Sequence, residues 1–246
     1  MEKDFTYIEK DEVGIETLDV ISSADKFNKW MYETIKPYCR GEILEIGSGI
    51  GNISKYFLEA NAKITLSDIR VNYCKHLEDN FKEYATLKEI LNLDLVDPLF
   101  ESKYKNHLNK FDTIFALNVV EHIKNDQLAV ENAKKLLKAS GKLIVLVPAY
   151  NFLYNNFDTE LCHYRRYNLK RIQSVYTAVG LNIIRGFYFN CVGMIGWYVS
   201  GKLQGNKNIP KSQMSIYNKL VWLFRIADKL VLNKTGLSVI VVGEKK

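Results

Sequence analysis

A glycine-rich segment is the strongest chemical feature of the sequence. Gly47, Gly49 and Gly51 follow the short apolar run 42–46 and precede residues 53–60, whose apolar positions have helical spacing. Glycine lets the backbone turn sharply and approach a ligand closely, and the first turn of a helix has free N–H groups. The segment therefore predicts a loop between a strand and a helix that binds a nucleotide-like ligand.

Polar residues end or follow three further apolar runs. Asp68 ends the second run, where a carboxylate can accept hydrogen bonds from ribose hydroxyls. Asp94 follows the third run, where an acid can receive an adenine amino group, and Asn118, Glu121 and His122 follow the fourth. Ligands bind at the carboxyl ends of parallel strands, so these positions predict one nucleotide site.

The segments that must position these residues alternate between strand and helix patterns. Short apolar runs predict strands, and the stretches between most of them have helical spacing, such as Gln127 to Lys138, which Ser140-Gly141 ends. The predicted strands cover 42–47, 62–68, 87–93, 111–117, 142–147, 181–189 and 237–242. Repeated βα alternation favours an α/β, Rossmann-like, doubly wound and mostly parallel sheet.

The order of these motifs resembles that of class I S-adenosylmethionine (SAM)-dependent methyltransferases. The glycine segment from Glu45, the acids Asp68 and Asp94, the segment 118–122 and the late segment 136–147 match the motifs of that family in sequence. The resemblance implies a seven-stranded sheet with an antiparallel last strand, SAM as cofactor and S-adenosylhomocysteine as product. The implied cofactor-binding residues are Glu45, Gly47, Ser48, Gly49, Gly51, Asp68, Ile69, Asp94, Leu95 and Asn118.

The expected organisation is one methyltransferase domain over residues 41–246, preceded by a helical segment over residues 1–40 that covers the cofactor site. An insert at about 191–234 lies between strands six and seven and contains an amphipathic helix. Packing of this insert against the sheet is the leading interpretation. A lid, a homodimer face and a helix in peripheral contact with a membrane are the alternatives.

The segment after the fifth strand supplies the candidate acceptor residues. It resembles a D-x-x-x-x-H-x-R-R-Y stretch found in a branch of small-molecule methyltransferases. His163 is the first choice for a general base, with Asp158 to orient it, because histidine titrates near neutral pH. Tyr154, Tyr164 and Arg166 are the candidate substrate contacts. A purely structural network of Asp158, His163 and Arg166 that holds the loop is the favoured alternative.

Glu121 and His122 are further catalytic candidates, and they also raise the question of a metal. In quinone O-methyltransferases a similar E-x-x-E-H stretch is associated with a divalent metal, but Asn118 stands here in place of the first acid. We therefore expect no metal. The interpretation we prefer is that Asn118 contacts SAM while Glu121 and His122 line or cap the pocket.

The expected reaction is methyl transfer to an O or N atom of a small-molecule acceptor of the glycan, lipid, quinone or secondary-metabolite type. A nucleic-acid (RNA) methyltransferase is disfavoured because Asn118-Val-Val-Glu121 replaces the Asn/Asp-Pro-Pro-aromatic motif, so no nucleic-acid partner is expected. An NAD-dependent oxidoreductase is disfavoured by Asn52, which stands where a dinucleotide fingerprint has glycine.

Composition adds the expected compartment. The net charge of +6 comes from Lys and Arg spread along the chain, which favours an ordinary solvated surface. The four cysteines have no metal-ligand spacing, and the amino-terminal residues lack the apolar core of a signal peptide. These features predict a cytoplasmic enzyme with free thiols.

Overall fold

A computed structural model describes residues 12–206 and 210–246. The strands are β1 (Ile43–Ile46), β2 (Ile64–Asp68), β3 (Leu87–Asn92), β4 (Phe111–Leu117), β5 (Leu137–Pro148), β6 (Leu181–Phe189) and β7 (Ser238–Lys245). The α-helices are α1 (Glu12–Ser22), α2 (Asp25–Ile35), α3 (Ser54–Glu59), α4 (Val71–Phe81), α5 (Phe100–Lys103), α6 (Asp126–Leu136), α7 (Asn156–Glu160), α8 (Leu169–Ala178), α9 (Cys191–Trp197) and α10 (Lys211–Leu230).

The strands form one sheet in the order β3-β2-β1-β4-β5-β7-β6. Neighbouring strands from β1 to β5 pair in parallel, whereas β7 lies between β5 and β6 and is antiparallel to both. All positions of β1 and β2 are buried, as expected for central parallel strands that have helices on both faces. The predicted Rossmann-like, mostly parallel seven-stranded sheet with an antiparallel last strand is confirmed.

Alternating residues of the strands face two apolar layers. Leu44 of β1 packs in the layer that contains α6 and α8, and Ile43 packs in the layer that contains α2 and α3. The second layer also includes Val221 and Phe224 of α10. One face of the insert therefore packs into the core, as the leading interpretation expects, and it does so beside the amino-terminal helix α2.

The amino-terminal segment is helical where the structure describes it. Residues 1–11 of the predicted segment 1–40 lie outside the described ranges, and α1 and α2 account for most of the remainder. The side chain of Asn52, which follows the glycine segment, donates a hydrogen bond to the carbonyl oxygen of Leu18 in α1 at 3.1 Å. This contact holds α1 against the glycine loop.

The boundary between α6 and β5 differs from the prediction. The helix ends at Leu136 rather than at Lys138, and β5 begins at Leu137, which pairs with Phe111 of β4. Ser140-Gly141, predicted to end the helix, lies inside the irregular first part of β5, where Ser140 has a φ of 59°. Cross-strand pairing thus replaces the last helical turn. Within the described ranges no helix is long and apolar enough to cross a membrane.

Candidate functional site

A cavity of about 1510 Å³ opens at the carboxyl ends of the central strands. Its wall runs from the glycine loop after β1, past the residues that follow β2, β3 and β4, to the loop after β5 and to helices α9 and α10. Helices α1 and α2 close the side next to the glycine loop. One cavity thus connects the predicted cofactor residues with the predicted acceptor residues.

The glycine loop needs the backbone freedom of glycine. Gly47 and Gly49 have φ values of 72° and 54°, a left-handed conformation that other residues adopt with strain, and both line the cavity. A Cβ atom at Gly47 would collide with the side chain of Val119. Gly51 also has a positive φ, but it packs against Phe81 and is not part of the cavity wall. Gly51 thus supports the loop in this structure, and its predicted contact with the cofactor remains a prediction.

Asp68 is held at the cavity wall by backbone hydrogen bonds. Its Oδ2 accepts from the amide of Gly49 at 3.0 Å, and its Oδ1 accepts from the amide of Arg70 at 3.0 Å. Burial raises the pKa of Asp68, and these amide hydrogen bonds act in the opposite direction. The carboxyl group is therefore oriented by the same loop that forms the floor of the cavity.

The other predicted cofactor positions lie along the same wall. Glu45, Ser48, Ile69, Asp94, Leu95 and Asn118 all line the cavity. Glu45 is buried and accepts a hydrogen bond from the hydroxyl group of Ser54. Burial raises its pKa to about 8, whereas hydrogen bonds from Ser54 and Ser48 lower it. Carboxyl groups from the ends of three strands thus converge on one side of the cavity.

This set of hydrogen-bond acceptors fits the cofactor SAM. The cofactor presents a ribose diol, an adenine amino group, an ammonium group and a sulfonium centre, all of which are donors or cations. The cavity wall offers the carboxyl groups of Glu45, Asp68 and Asp94, which are acceptors. A Cβ atom at Gly47 or Gly49 would meet the side chain of Val119 or Leu18, so glycine is needed for the close packing of this loop beside the cavity.

A buried network stands behind the opposite end of the cavity. Asp158 is fully buried, and its Oδ1 lies 2.8 Å from both His163 Nδ1 and Arg166 Nε. Its Oδ2 accepts from the backbone amide of Asn155 at 3.0 Å. Arg166 also donates to the carbonyl oxygen of Ala149 at 3.0 Å. The sequence motif therefore forms a connected network that joins the loop after β5 to α7.

The network determines the protonation of its members. Burial lowers the pKa of His163, and its hydrogen bond with Asp158 only partly offsets this effect. Burial alone would raise the pKa of Asp158, but the hydrogen bond with His163 and the charge of Arg166 hold it below its usual value. His163 is consequently neutral at neutral pH. Because Nδ1 faces Asp158, Nε2 is the ring nitrogen available to another group.

Glu121 and His122 are adjacent in a 3-10 turn but have different environments. The imidazole of His122 is open to the cavity, and its ring centroid lies 4.7 Å from that of His163. Desolvation by the surrounding protein, followed by the effect of His163, lowers its pKa. Glu121 is fully buried outside the cavity wall, and neither of its oxygens has a hydrogen-bond partner among the described residues. Burial raises its pKa to about 8.

These three side chains are the ones with metal-ligand geometry in the described part of the chain. One ligand atom each from Glu121, His122 and His163 lies within 4.8 Å of the others. The sequence analysis considered the first two because of their motif and did not consider His163 for this role. The prediction that no metal is needed remains to be tested.

Several predicted acceptor residues have supporting positions. Tyr164 lines the cavity, but Tyr154 does not. The hydroxyl group of Tyr154 donates to the carbonyl oxygen of His163 at 2.7 Å. Asp158 is enclosed behind His163. Arg166 touches the cavity but is almost entirely buried by Asp158 and by the ring of Trp197, whose centroid lies 4.8 Å from its guanidinium carbon. Tyr154 and Arg166 thus hold the loop in this structure, and their predicted contacts with the substrate remain predictions.

The sequence analysis missed the residues of the insert that form the acceptor end of the cavity. They are largely apolar or aromatic and come from α9, its π-helical extension Tyr198–Leu203 and α10: Val192, Ile195, Trp197, Val199, Met214, Ile216, Tyr217, Leu220 and Phe224. The helical spacing of apolar residues was the available signal, but it did not tell which positions face the cavity.

Comparisons with known proteins agree with this arrangement. Residues 44–143 match the methyltransferase domain family. This match covers less than half of the chain. The chain is 32% identical over 113 residues to the highly reducing polyketide synthase acrA of Aspergillus aculeatus, a match that spans 44% of this chain and 5% of the relative. It is 29% identical over 103 residues to highly reducing polyketide synthase 40 of Fusarium mangiferae, spanning 42% of this chain and 4% of that protein.

Solved structures support the fold over a longer range. A SAM-dependent methyltransferase from Archaeoglobus fulgidus superposes with a TM-score of 0.57 at 14% identity, covering 89% of this chain and 94% of that chain. A second structure is that of phosphoethanolamine N-methyltransferase 2 from Haemonchus contortus in complex with SAM. It superposes with a TM-score of 0.58 at 16% identity, covering 87% of this chain and 52% of that chain. The chain therefore has a Rossmann-like fold that it shares with SAM-dependent methyltransferases, and residues 44–143 match a methyltransferase domain family.

Proposed function

We propose that the protein transfers the methyl group of SAM to an O or N atom of a small molecule that has a large apolar part. The observation that carries this proposal is the continuity of one cavity from the carboxyl groups at the strand ends to the histidine pair and the aromatic insert. Glu45, Asp68 and Asp94 would hold the cofactor, with Asn118 beside them. SAM supplies an activated methyl group on a sulfonium when it is bound.

The acceptor would lie between the histidine pair and the insert. His163 has a neutral imidazole whose Nδ1 is held by Asp158, which leaves Nε2 to accept the proton that an acceptor hydroxyl or amine loses as its new bond to the methyl carbon forms. His122 lies beside it and would complete the polar end of the acceptor site. Alignment of the two reactants within one cavity would supply much of the rate.

The far wall of the cavity supports an acceptor with an apolar body. Trp197, Tyr217 and Leu220 line the cavity there, and apolar surface in a pocket favours an apolar ligand body. The names of the similar proteins, polyketide synthases and a phosphoethanolamine methyltransferase, point to different acceptors and do not select one. A lipid-like or polyketide-like acceptor agrees best with this wall.

The decisive experiment combines cofactor binding with isotope transfer. Calorimetry with SAM, S-adenosylhomocysteine and NAD should give binding of the first two only. Purified protein, trideuteromethyl SAM and a small-molecule extract should then yield a product that carries one trideuteromethyl group, and Asp68→Ala should form less of it when SAM is limiting. Label found only in RNA, or binding of NAD instead of SAM, would reject the proposal.

A further inference from the structure

Helix α10 has two apolar faces, and only one of them packs against the protein. Val221, Phe224 and Asp228 are buried toward the core. The opposite face carries apolar residues at steps of three and four, and each of them is exposed: Ile216, Leu220, Leu223, Ile226 and Leu230. The largest exposed fractions are 61% for Ile216 and 79% for Leu230. The helix thus presents a continuous apolar stripe to solvent along its length.

Neighbouring residues extend this stripe into a surface. Ile195, Val199 and Leu203 of α9 and its π-helical extension are exposed, and α9 packs against α10. Trp222 adds an indole side chain, and the exposed fraction of this residue is 60%. We call the exposed apolar residues of α9, its extension and α10 the insert face. A contiguous apolar surface of this kind marks an interaction site.

The charge of the insert identifies the partner. Residues 191–234 contain six lysines and one arginine but a single acid, Asp228, so their net charge of +6 equals that of the whole chain. Asp228 is buried and accepts hydrogen bonds from the amides of Asn190 and Cys191 at 2.6 and 2.7 Å. The positive charge is therefore concentrated in the insert, although the basic residues themselves are spread along the sequence.

Two of these cations are available for an external anion. Lys219 and Lys229, both on α10, have no ion-pair partner among residues 12–206 and 210–246, whereas Arg225 pairs with Glu33 at 2.6 Å. A second copy docked through the same face would bring two segments of +6 together, which electrostatic repulsion disfavours. A negatively charged lipid surface satisfies both the apolar stripe and the cations.

We propose that the insert face docks the protein onto an anionic membrane surface, with α10 lying in the interfacial plane. Ile195, Val199, Ile216 and Leu220 of this face also line the cavity, so the docked surface adjoins the acceptor end. An acceptor with an apolar body can then pass between the lipid phase and the cavity. Only this last step rests on the proposed function, because vesicle binding requires neither SAM nor methyl transfer.

Sedimentation with vesicles tests the proposal. The full chain should bind vesicles made of equal parts of phosphatidylcholine and phosphatidylglycerol, bind phosphatidylcholine alone far more weakly, and lose binding as salt is raised. Leu223→Glu/Ile226→Glu and Lys219→Glu/Lys229→Glu should each weaken binding at least about tenfold. Leu99→Glu and Lys82→Glu/Lys88→Glu introduce matching exposed changes outside the insert and should bind like the parent.

Two controls make the outcomes decisive. Thermal unfolding measured by circular dichroism should be similar for all variants, because every substituted side chain is exposed. Equal binding to both vesicle types, or parent-like binding by both insert variants, would overturn the proposal. A concentration-dependent dimer that Leu223→Glu/Ile226→Glu abolishes would assign the face to a second copy instead. Calorimetry with SAM on the same samples separates these outcomes from failure of the proposed function.

Discussion

The two ends of the cavity are built in different ways. At the cofactor end, each polar residue lies at or just after the end of a strand, and the backbone orients it, as the amides of Gly49 and Arg70 orient Asp68. At the acceptor end, buried side chains orient the polar residues through hydrogen bonds to one another. The carboxylate of Asp158 alone joins His163, Arg166 and Asn155. The first end is fixed by the sheet and the second by a network that the sheet does not impose.

This difference separates binding from stability. Asp68 can be replaced without leaving a buried charge unpaired, so a substitution there should affect the ligand more than the fold. Asp158 balances the charge of a buried arginine, and its loss should affect the fold first. Substitutions at the two ends should therefore differ in which measurement they change.

The largest expected effect is that of Asp158→Ala on stability. The substitution leaves the Arg166 guanidinium buried without a counter-ion and should lower the free energy of unfolding by about 3–5 kcal/mol. Thermal and urea unfolding measure it. Asp25→Ala, which breaks the surface pair with Lys55, is the control and should change stability little. Parent-like stability of Asp158→Ala would contradict a structural role for the network.

The next effect is the loss of turnover in His163→Ala. If His163 accepts the acceptor proton, kcat should fall roughly 100-fold or more while SAM affinity stays close to that of the parent. The parent rate should rise with pH through a value below 6.5, because burial lowers the pKa of His163 and only the neutral ring is a base. The sequence analysis expected a histidine that titrates near neutral pH, and burial lowers the pKa of His163.

The control for His163→Ala is His76→Ala, which removes an exposed imidazole on α4. It should leave both rate and pH profile unchanged. If His163→Ala instead loses thermal stability and SAM affinity together and keeps the shape of its pH profile, the histidine is structural. A stable variant with parent-like turnover would exclude both roles.

The sequence predicted the cofactor end better than the acceptor end for a physical reason. Asp68 and Asn118 could be placed because the carboxyl ends of parallel strands meet at one edge of a sheet. The sequence could not predict that Glu121 and His122 have different environments. The 3-10 turn Val120–His122 directs the side chain of Glu121 into the protein and that of His122 into the cavity.

The insert shows the same limit. Apolar spacing predicted an amphipathic helix, which α10 is, but the spacing did not reveal that apolar residues cover both the buried and the exposed side. The approach of His122 to His163 was equally hidden, because it depends on how the loop after β5 packs against the turn after β4, where the amide of Tyr164 donates to the carbonyl oxygen of Glu121 at 2.9 Å. Contacts between distant segments are set by tertiary packing rather than by local pattern.

A smaller effect, confined to binding, is expected for Asp68→Ala. Loss of the carboxylate should weaken SAM binding by about 1.5–3 kcal/mol while the protein remains folded. Calorimetry measures the affinity, and Asp79→Ala on the exposed side of α4 is the matched control. Asp68→Asn keeps an acceptor oxygen without the charge and should be intermediate. Unchanged affinity in folded Asp68→Ala would remove Asp68 from the cofactor site.

The smallest expected effect is that of metal removal, for which turnover should not change. Glu121, His122 and His163 are close enough to hold an ion, but a ligating carboxyl group must be ionised. Burial raises the pKa of Glu121 to about 8, so this carboxyl group is mostly protonated at pH 7, and it lies outside the cavity wall. Enzyme dialysed against EDTA should thus keep its activity, and Glu121→Gln, which preserves a neutral side chain of similar size, should resemble the parent.

Metal analysis of the purified protein provides an independent measurement. Activity that EDTA abolishes, that a divalent ion restores and that Glu121→Gln lacks would instead make the two histidines and Glu121 metal ligands, and it would move His163 from proton acceptor to ligand.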